Sequence, residues 1–286
     1  MSGRLTLHIE KPGLQTTVQD YGRLGCQEQG IPVGGAMGID LYALANQIVG
    51  NEDGEPALEI TVAGPKITFE GFGLLAITGA DLSPSLNGLP ISNGEPISVS
   101  TGDCLAFGRV VSGCRAYLAI RGKWPQPQWL GSVSPLNSAG FTENLLRKGS
   151  RFTIDTSLDQ PRKEISVKGA FPNLRKAIRV TVAPESKYFE GAIVQLLDQE
   201  HMVAHESNRM GIRLEGCLSL DQKHEIISSP VFPGVIQLTH SGQPIILMAD
   251  AQTTGGYPRI AVVDKRQLGQ LAQLKPGDKL SFEWNN

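Results

Sequence analysis

Ala57-Leu58-Glu59-Ile60-Thr61-Val62, followed by Lys66-Ile67-Thr68-Phe69 and Leu74-Leu75-Ala76-Ile77-Thr78, decides the fold class. These short stretches are rich in β-branched and apolar residues and are parted by Gly, Pro and Glu, so each reads as a strand. Ile97-Ser98-Val99, Cys104-Leu105-Ala106-Phe107 and residues 116–120 repeat the pattern downstream. Upstream, residues 5–10 alternate apolar and polar side chains, the period of a half-buried strand, and residues 13–23 read as a second short strand and turn. One good helix stands against them in the first half. Ile39, Tyr42, Ala45, Ile48 and Val49 recur at helical spacing until Gly50-Asn51 stops them. The expectation is a mainly β chain with a few short helices, its strands closed or nearly closed into antiparallel barrels.

The second half repeats this mixture. Ser186 is the predicted N-cap of a helix whose apolar face is Tyr188, Ala192, Ile193 and Leu196. Strands are predicted at residues 212–214, 235–238, 245–248 and 280–284, with a last helix from Asp264 through Leu268, Leu271 and Ala272 to Pro276-Gly277. Charges gather over residues 159–176, and Phe171-Pro172-Asn173 reads as a linker. The predicted division is a domain over 1–165 and a second over 166–286. Thr101-Gly102-Asp103-Cys104-Leu105-Ala106-Phe107 and Pro276-Gly277-Asp278-Lys279-Leu280-Ser281-Phe282 share a Gly-Asp turn leading into a strand, which suits two related barrels.

Composition bounds the function. The 286 residues are 40% hydrophobic and 19% charged with a net charge of -2, the balance of a globular protein without a nucleic-acid or anionic-membrane surface. The N-terminal residues lack the apolar core of a signal peptide, and no apolar run is long enough to span a bilayer, so a cytoplasmic location is expected. The cysteines Cys26, Cys104, Cys114 and Cys217 show no Cys-x-x-Cys spacing, which predicts neither a zinc site nor a disulfide framework. His201 and His205 are four apart without an accompanying carboxylate arrangement, so they are expected at the surface and no metal site is predicted.

The strongest polar cluster is Asp250-Ala251-Gln252-Thr253-Thr254-Gly255-Gly256-Tyr257-Pro258. It follows the apolar run Pro244-Ile245-Ile246-Leu247-Met248-Ala249, so a strand delivers a carboxylate, an amide and hydroxyls together at its end. An ordinary polar turn is the competing reading. Ser207-Asn208-Arg209-Met210-Gly211-Ile212-Arg213 places two guanidinium groups at i and i+4, on one face of a continuous strand. Such groups grip carboxylate or phosphate, or else pair with Glu206 and Glu215 nearby. Gln237, late in an apolar strand, either satisfies a buried partner or faces a ligand. Gly34-Gly35-Ala36-Met37 before a helix suits an anion, yet without Gly-Lys-Ser/Thr it signals no ATP site in this chain. Thr78-Gly79-Ala80-Asp81 reads as a turn. No Ser-His-Asp or Cys-His order is present, so the available chemistry is orientation and electrostatic stabilisation of an acyl, carboxyl or phosphoryl group.

These motifs, together with Val18-Gln19-Asp20-Tyr21-Gly22-Arg23, Gly30-Ile31-Pro32, Ala45-Asn46-Gln47-Ile48-Val49-Gly50-Asn51, Leu58-Glu59-Ile60-Thr61 and Leu130-Gly131-Ser132, cover nearly the whole chain. In number and order they resemble the allophanate hydrolase subunit 2 family. That family takes in Kip-type kinase antagonists, the C-subunit proteins of 5-oxoprolinase, and part of the carboxyltransferase domain of urea carboxylase. The resemblance implies two cyclophilin-like β-barrel domains. It implies two protein partners, a Kip-inhibitor-like B subunit plus an A subunit, with ATP-dependent opening of 5-oxoproline to glutamate by the complex. On that reading Asp250, Gln252, Thr253 and Tyr257 are the expected catalytic residues. Asn208, Arg209, Arg213, Gln237, Thr254, Gly255 and Gly256, with Gly35, Ala36 and Met37 on the rim, would bind a small amide or lactam. Biotin enters only if the chain is instead a carboxyltransferase component acting on urea or a similar amide; the remaining alternative is a non-catalytic antagonist of a Kip-type inhibitor. Three places depart from the family pattern: Gly38 for Asp, the run Ser138-Ala139-Gly140-Phe141-Thr142-Glu143-Asn144, and Ala183-Pro184-Glu185 for Gly-Pro-Gln.

Overall fold

The computed structural model describes residues 3–156, 165–167, 177–220 and 226–285; the predicted linker at 171–173 lies outside them. The chain is mainly β, as its sequence predicts, and its contacts divide it into two compact units. One holds residues 1–22 and 38–172, the other residues 23–37 and 173–286.

In the first unit the strands are β1 (Arg4–Lys11), β2 (Gln15–Gln19), β3 (Ala57–Thr61), β4 (Lys66–Gly71) and β5 (Gly73–Asp81). They continue with β6 (Ser85–Leu86), β7 (Leu89–Pro90), β8 (Ile97–Val99), β9 (Cys104–Ala106), β10 (Ser112–Ile120) and β11 (Arg151–Asp155). Two sheets result, ordered β11-β1-β4-β9-β6-β7 and β2-β3-β10-β5-β8. The alternation in β1 does what its period requires, burying Leu5, Leu7 and Ile9 in a core that also takes Leu58, Ile60, Leu75, Ile77 and Leu118. β5 runs three residues past Thr78, so the predicted turn at 78–81 is strand; Asp81 still caps the turn beyond it, accepting the Ser83 N–H at 2.9 Å. The helix α1 (Ile39–Val49) stops at Gly50, whose φ of 74° is the left-handed end that glycine favours. It is anchored to the sheet by the Thr78 hydroxyl, which donates to Leu41 O at 2.7 Å.

The second unit carries β12 (Ala177–Val182), α2 (Glu190–Asp198), β13 (His201–Met202), β14 (Gly211–Arg213) and β15 (Ser229–Pro230). After them come β16 (Val235–Leu238), β17 (Pro244–Leu247), β18 (Thr254–Gly255), β19 (Arg259–Val263), α3 (Leu268–Leu271) and β20 (Lys279–Trp284). Seven strands form one sheet in the order β13-β20-β12-β19-β16-β17-β14. Its two ends meet: Ala204 N–H donates to Arg213 O and Glu215 N–H to Met202 O, both at 2.8 Å. Not every pairing is antiparallel, since β12 and β20 run parallel with Val180 opposite Trp284. β15 and β18 make a separate two-stranded ribbon.

The structure overturns two local expectations. Ser186 does not cap α2: a 3-10 turn over Ser186–Tyr188 comes first, and the chain bends at Phe189 before the helix starts. The helical period therefore restarts at Glu190, leaving Tyr188 exposed and Phe189 in the core. His201 is not a surface residue either. It lies on β13, 4% exposed, with Nε2 2.9 Å from Leu196 O and its ring 5.5 Å from that of Phe282. Burial holds its pKa below the usual imidazole value.

Candidate active site

Period 2 across three adjacent strands builds the site. Ile212, Ile246 and Ile236 are neighbours in register on β14, β17 and β16, and all three enter the core of the second unit. The residues one step along must point the other way. Those are Arg213, Ile245 and Gln237, again in register, with Ile245 between the two polar side chains. Asn208, Met210, Gln252 and Tyr257 complete the walls, and Leu247 opposite Gly211 extends the floor, around a cavity of about 140 Å³. Ligand pockets for drug-sized molecules run to about 300–1,000 Å³, so this one suits a small molecule.

The polar groups around it are of two kinds. Arg213 uses one N–H on Gln243 Oε1 at 3.3 Å; among the described residues the rest of its fork is uncommitted. Gln237 is 1% exposed and donates through Nε2 to Tyr257 O at 3.2 Å. Gly255 belongs to that contact, because a Cβ on it would lie 2.5 Å from the Gln237 amide nitrogen. Tyr257 packs against the His240 ring in a T-shaped pair, ring centroids 5.3 Å apart.

Arg209 and Asp250 form the second kind. The Arg209 guanidinium meets Asp250 in a two-point fork, Nε to Oδ2 and Nη2 to Oδ1 at 2.8 Å each, while Nη2 also reaches Gly35 O at 2.6 Å. Neither residue lines the cavity. The expected i, i+4 strand pairing of Arg209 with Arg213 does not occur, because the strand starts only at Gly211. A tight turn precedes it, in which Asn208 Oδ1 accepts the Met210 N–H at 2.8 Å, and it sends Arg209 inward. Gly34 and Gly35 adopt positive φ of 67° and 78°, and Gly34 N–H donates to Ala249 O at 3.0 Å. The Gly34-Gly35 turn is thus tied to the turn after β17 that carries Asp250, whereas Ala36 and Met37 are buried.

The loop after Asp250 is held from outside as well. Val231 N–H donates to Thr253 O at 2.9 Å, Pro230 pairs with Thr254, and Gly256 and Thr254 are exposed. Glu185 grips the loop's far end: its carboxylate accepts from Arg259 Nε (2.8 Å), Nη2 (2.6 Å) and N–H (3.1 Å), and Arg259 Nη1 donates to Pro230 O. These bonds hold the Glu185 carboxyl below its ordinary pKa. Sequence reasoning singled out Glu185 only as a departure from the family pattern and missed its partner Arg259. The signal was there in the replacement of an amide by a carboxylate at 185.

The sequence profile of the carboxyltransferase domain, subdomain A and B, matches residues 29–284. The chain belongs to that family. It is 37% identical over 281 residues to the 5-oxoprolinase C subunit of Escherichia coli, covering 96% of this chain and 90% of that protein. It is also 35% identical over 306 residues to the urea amidolyase of Lachancea kluyveri, but there it spans only 16% of the relative. The crystal structure of the Kluyveromyces lactis urea carboxylase superposes with a TM-score of 0.89 at 33% identity, over 99% of this chain and 27% of that one. Among the described residues no group of three or more His, Cys, Asp or Glu side chains is placed to hold a metal, and no helix is long and apolar enough to cross a membrane.

Within this carboxyltransferase-family chain the three departures have structural partners. A Cβ at Gly38 would stand 3.0 Å from the Tyr117 hydroxyl, which accepts the Gly38 N–H at 2.6 Å. Asn144 is buried and donates to Pro127 O and Val133 O. Glu185 binds Arg259. None of the three lines the cavity.

Proposed function

We propose that the chain is the C subunit of a bacterial ATP-dependent 5-oxoprolinase, opening 5-oxoproline to glutamate together with a Kip-inhibitor-like B subunit plus an A subunit. One observation carries this reading: a small cavity presents an uncommitted guanidinium and a ring of amides and a phenol, in a chain that spans nearly the whole of a 5-oxoprolinase C subunit. Arg213 takes the substrate carboxylate, for which its planar fork is matched. Asn208, Gln252 and Tyr257 surround the lactam carbonyl and stabilise charge that develops on its oxygen. Arg209 and Asp250 hold the Gln252 loop at the end of β17. Thr253 and Thr254 anchor it to the β15 ribbon. The Gly34-Gly35 turn is occupied by internal hydrogen bonds, and the cavity is small for a nucleotide, so the fit of ATP to this pocket is poor. ATP use is therefore assigned to the complex, in the cytoplasm.

The family match favours a second reading, a carboxyltransferase component acting on urea or a similar small amide with biotin supplied by another chain. ATP-dependent glutamate release from 5-oxoproline, measured with the three subunits mixed and each omitted in turn, separates the two. Loss of activity without this chain supports the proposal. An intact complex that releases no glutamate rejects it.

A further inference from the structure

The Gln237 side chain is nine-tenths buried or more, yet only half of its amide is used. Nε2 donates to Tyr257 O, and no described group donates to Oε1. That oxygen is also not sealed away without a partner, as Gln19 Oε1 is, and the side chain it belongs to lines the cavity. The little surface that Gln237 keeps is therefore at its carbonyl end, on the pocket.

Its orientation is locked from two directions. A flipped amide would set Oε1 against Tyr257 O, acceptor against acceptor, and leave both unsatisfied. Sideways movement is limited by the Gly255 backbone, which packs so closely that a Cβ there would lie 2.5 Å from the amide nitrogen and push it aside. A strand position fixes the Cα, and Ile245 alongside separates the amide from Arg213. The pocket thus offers a ligand one fixed acceptor and one cation on the same sheet face.

We infer that Gln237 is a specificity-determining residue that presents its carbonyl oxygen to a ligand N–H, so that the site selects carboxylate-bearing lactams and amides over the matching lactones and esters. The inference rests on the proposed function and adds the atom that reads the ring nitrogen. A lactone places a ring oxygen where the lactam has N–H, facing Gln237 Oε1 with two acceptors and no proton. Sites built to bond an N–H reject analogues that lack it strongly, and with a partly hydrated acceptor we expect about a 10- to 100-fold difference in affinity.

The test is equilibrium titration of the chain assembled with its partner subunits, without ATP, using 5-oxoproline and 5-oxotetrahydrofuran-2-carboxylate as probes. The expected result is tighter binding of the lactam by about 10- to 100-fold in the native complex. Gln237→Met should bring the two probes to near equality. Gly255→Ala, which displaces the amide without changing its chemistry, should compress the ratio as well and serves if the first variant does not fold. Equal binding of both probes by the native complex overturns the inference and leaves the proposed function standing. So does a ratio that survives both substitutions. Binding of neither probe overturns the proposed function itself, and this inference with it.

Discussion

Both units carry polar signature motifs, but they are used differently. In the first unit Asp20 accepts from Gly22 N–H, Ser132 Oγ and Val133 N–H, which ties the stretch over 18–22 to the one over 130–133. Asn51 bonds Asn46, Ile120 O and Gly122 N–H. Glu59 is buried on β3, where it accepts the Tyr117 hydroxyl at 2.9 Å and lies 3.8 Å from Arg115 Nε. Burial pushes the Tyr117 pKa well up, so this hydroxyl stays a donor. In the second unit Arg213 and Gln237 retain capacity that the fold does not use. A buried polar group normally finds its partners within the protein. One that is positioned rigidly and left half-satisfied at a cavity is prepared for something outside it.

Substitutions test this difference, and the largest effect belongs to the first unit. Glu59→Ala leaves the Tyr117 hydroxyl and Arg115 without their carboxylate, and should cost about 3–5 kcal/mol of stability. Urea denaturation reads this directly; a loss well below about 1 kcal/mol would mean that the buried cluster is not holding the fold.

Arg209→Ala probes the boundary between the two uses, because this arginine sits in the second unit yet is used like the first unit's residues. Its loss removes the two-point partner of Asp250 and one donor to Gly35 O, and stability should fall by about 1–3 kcal/mol. Substrate affinity would then weaken through the displaced Gln252 loop. Wild-type stability combined with lost affinity would instead make Arg209 a direct ligand for substrate.

The smallest effect is expected at Glu185. Glu185→Gln keeps the shape and removes the charge from the Arg259 fork, for a loss of about 1 kcal/mol at neutral pH. The pH dependence has a definite sign. A carboxyl whose folded pKa is depressed contributes fully above its unfolded value, near 4.5, and loses that contribution as pH falls through the folded value. The stability gap between wild type and Glu185→Gln should therefore be constant from about pH 7 to about 5 and shrink below about 4.5. A gap that widens toward acid would contradict the fork.

How much of this was legible in the sequence follows from the periods. β1, β8, β16 and α1 were readable because alternation or helical spacing is clean and Gly or Pro marks the ends. β12 and β19 were not. Residues 177–182 follow a charge-rich stretch that suggests a linker, and residues 259–263 begin directly after Tyr257-Pro258, where a loop is the natural reading. The candidate site was legible as a set of residue types, and its Arg213, Gln237, Gln252, Asn208 and Tyr257 come together around one cavity. Arg209 could not be placed, because a tight turn before Gly211 breaks the strand period on which its direction depends. Glu185 and Arg259 are 74 residues apart, and no local pattern pairs them.

The most direct measurement compares Arg213→Ala with wild type in the assembled complex, reading ATP-dependent glutamate release and thermal unfolding on the same samples. Release at low substrate should fall by about 10- to 100-fold, the loss of a charge-assisted hydrogen bond, while the unfolding midpoint stays nearly unchanged. Unchanged release, or a loss explained by a matching drop in stability, would contradict the claim that this pocket is kept open for substrate.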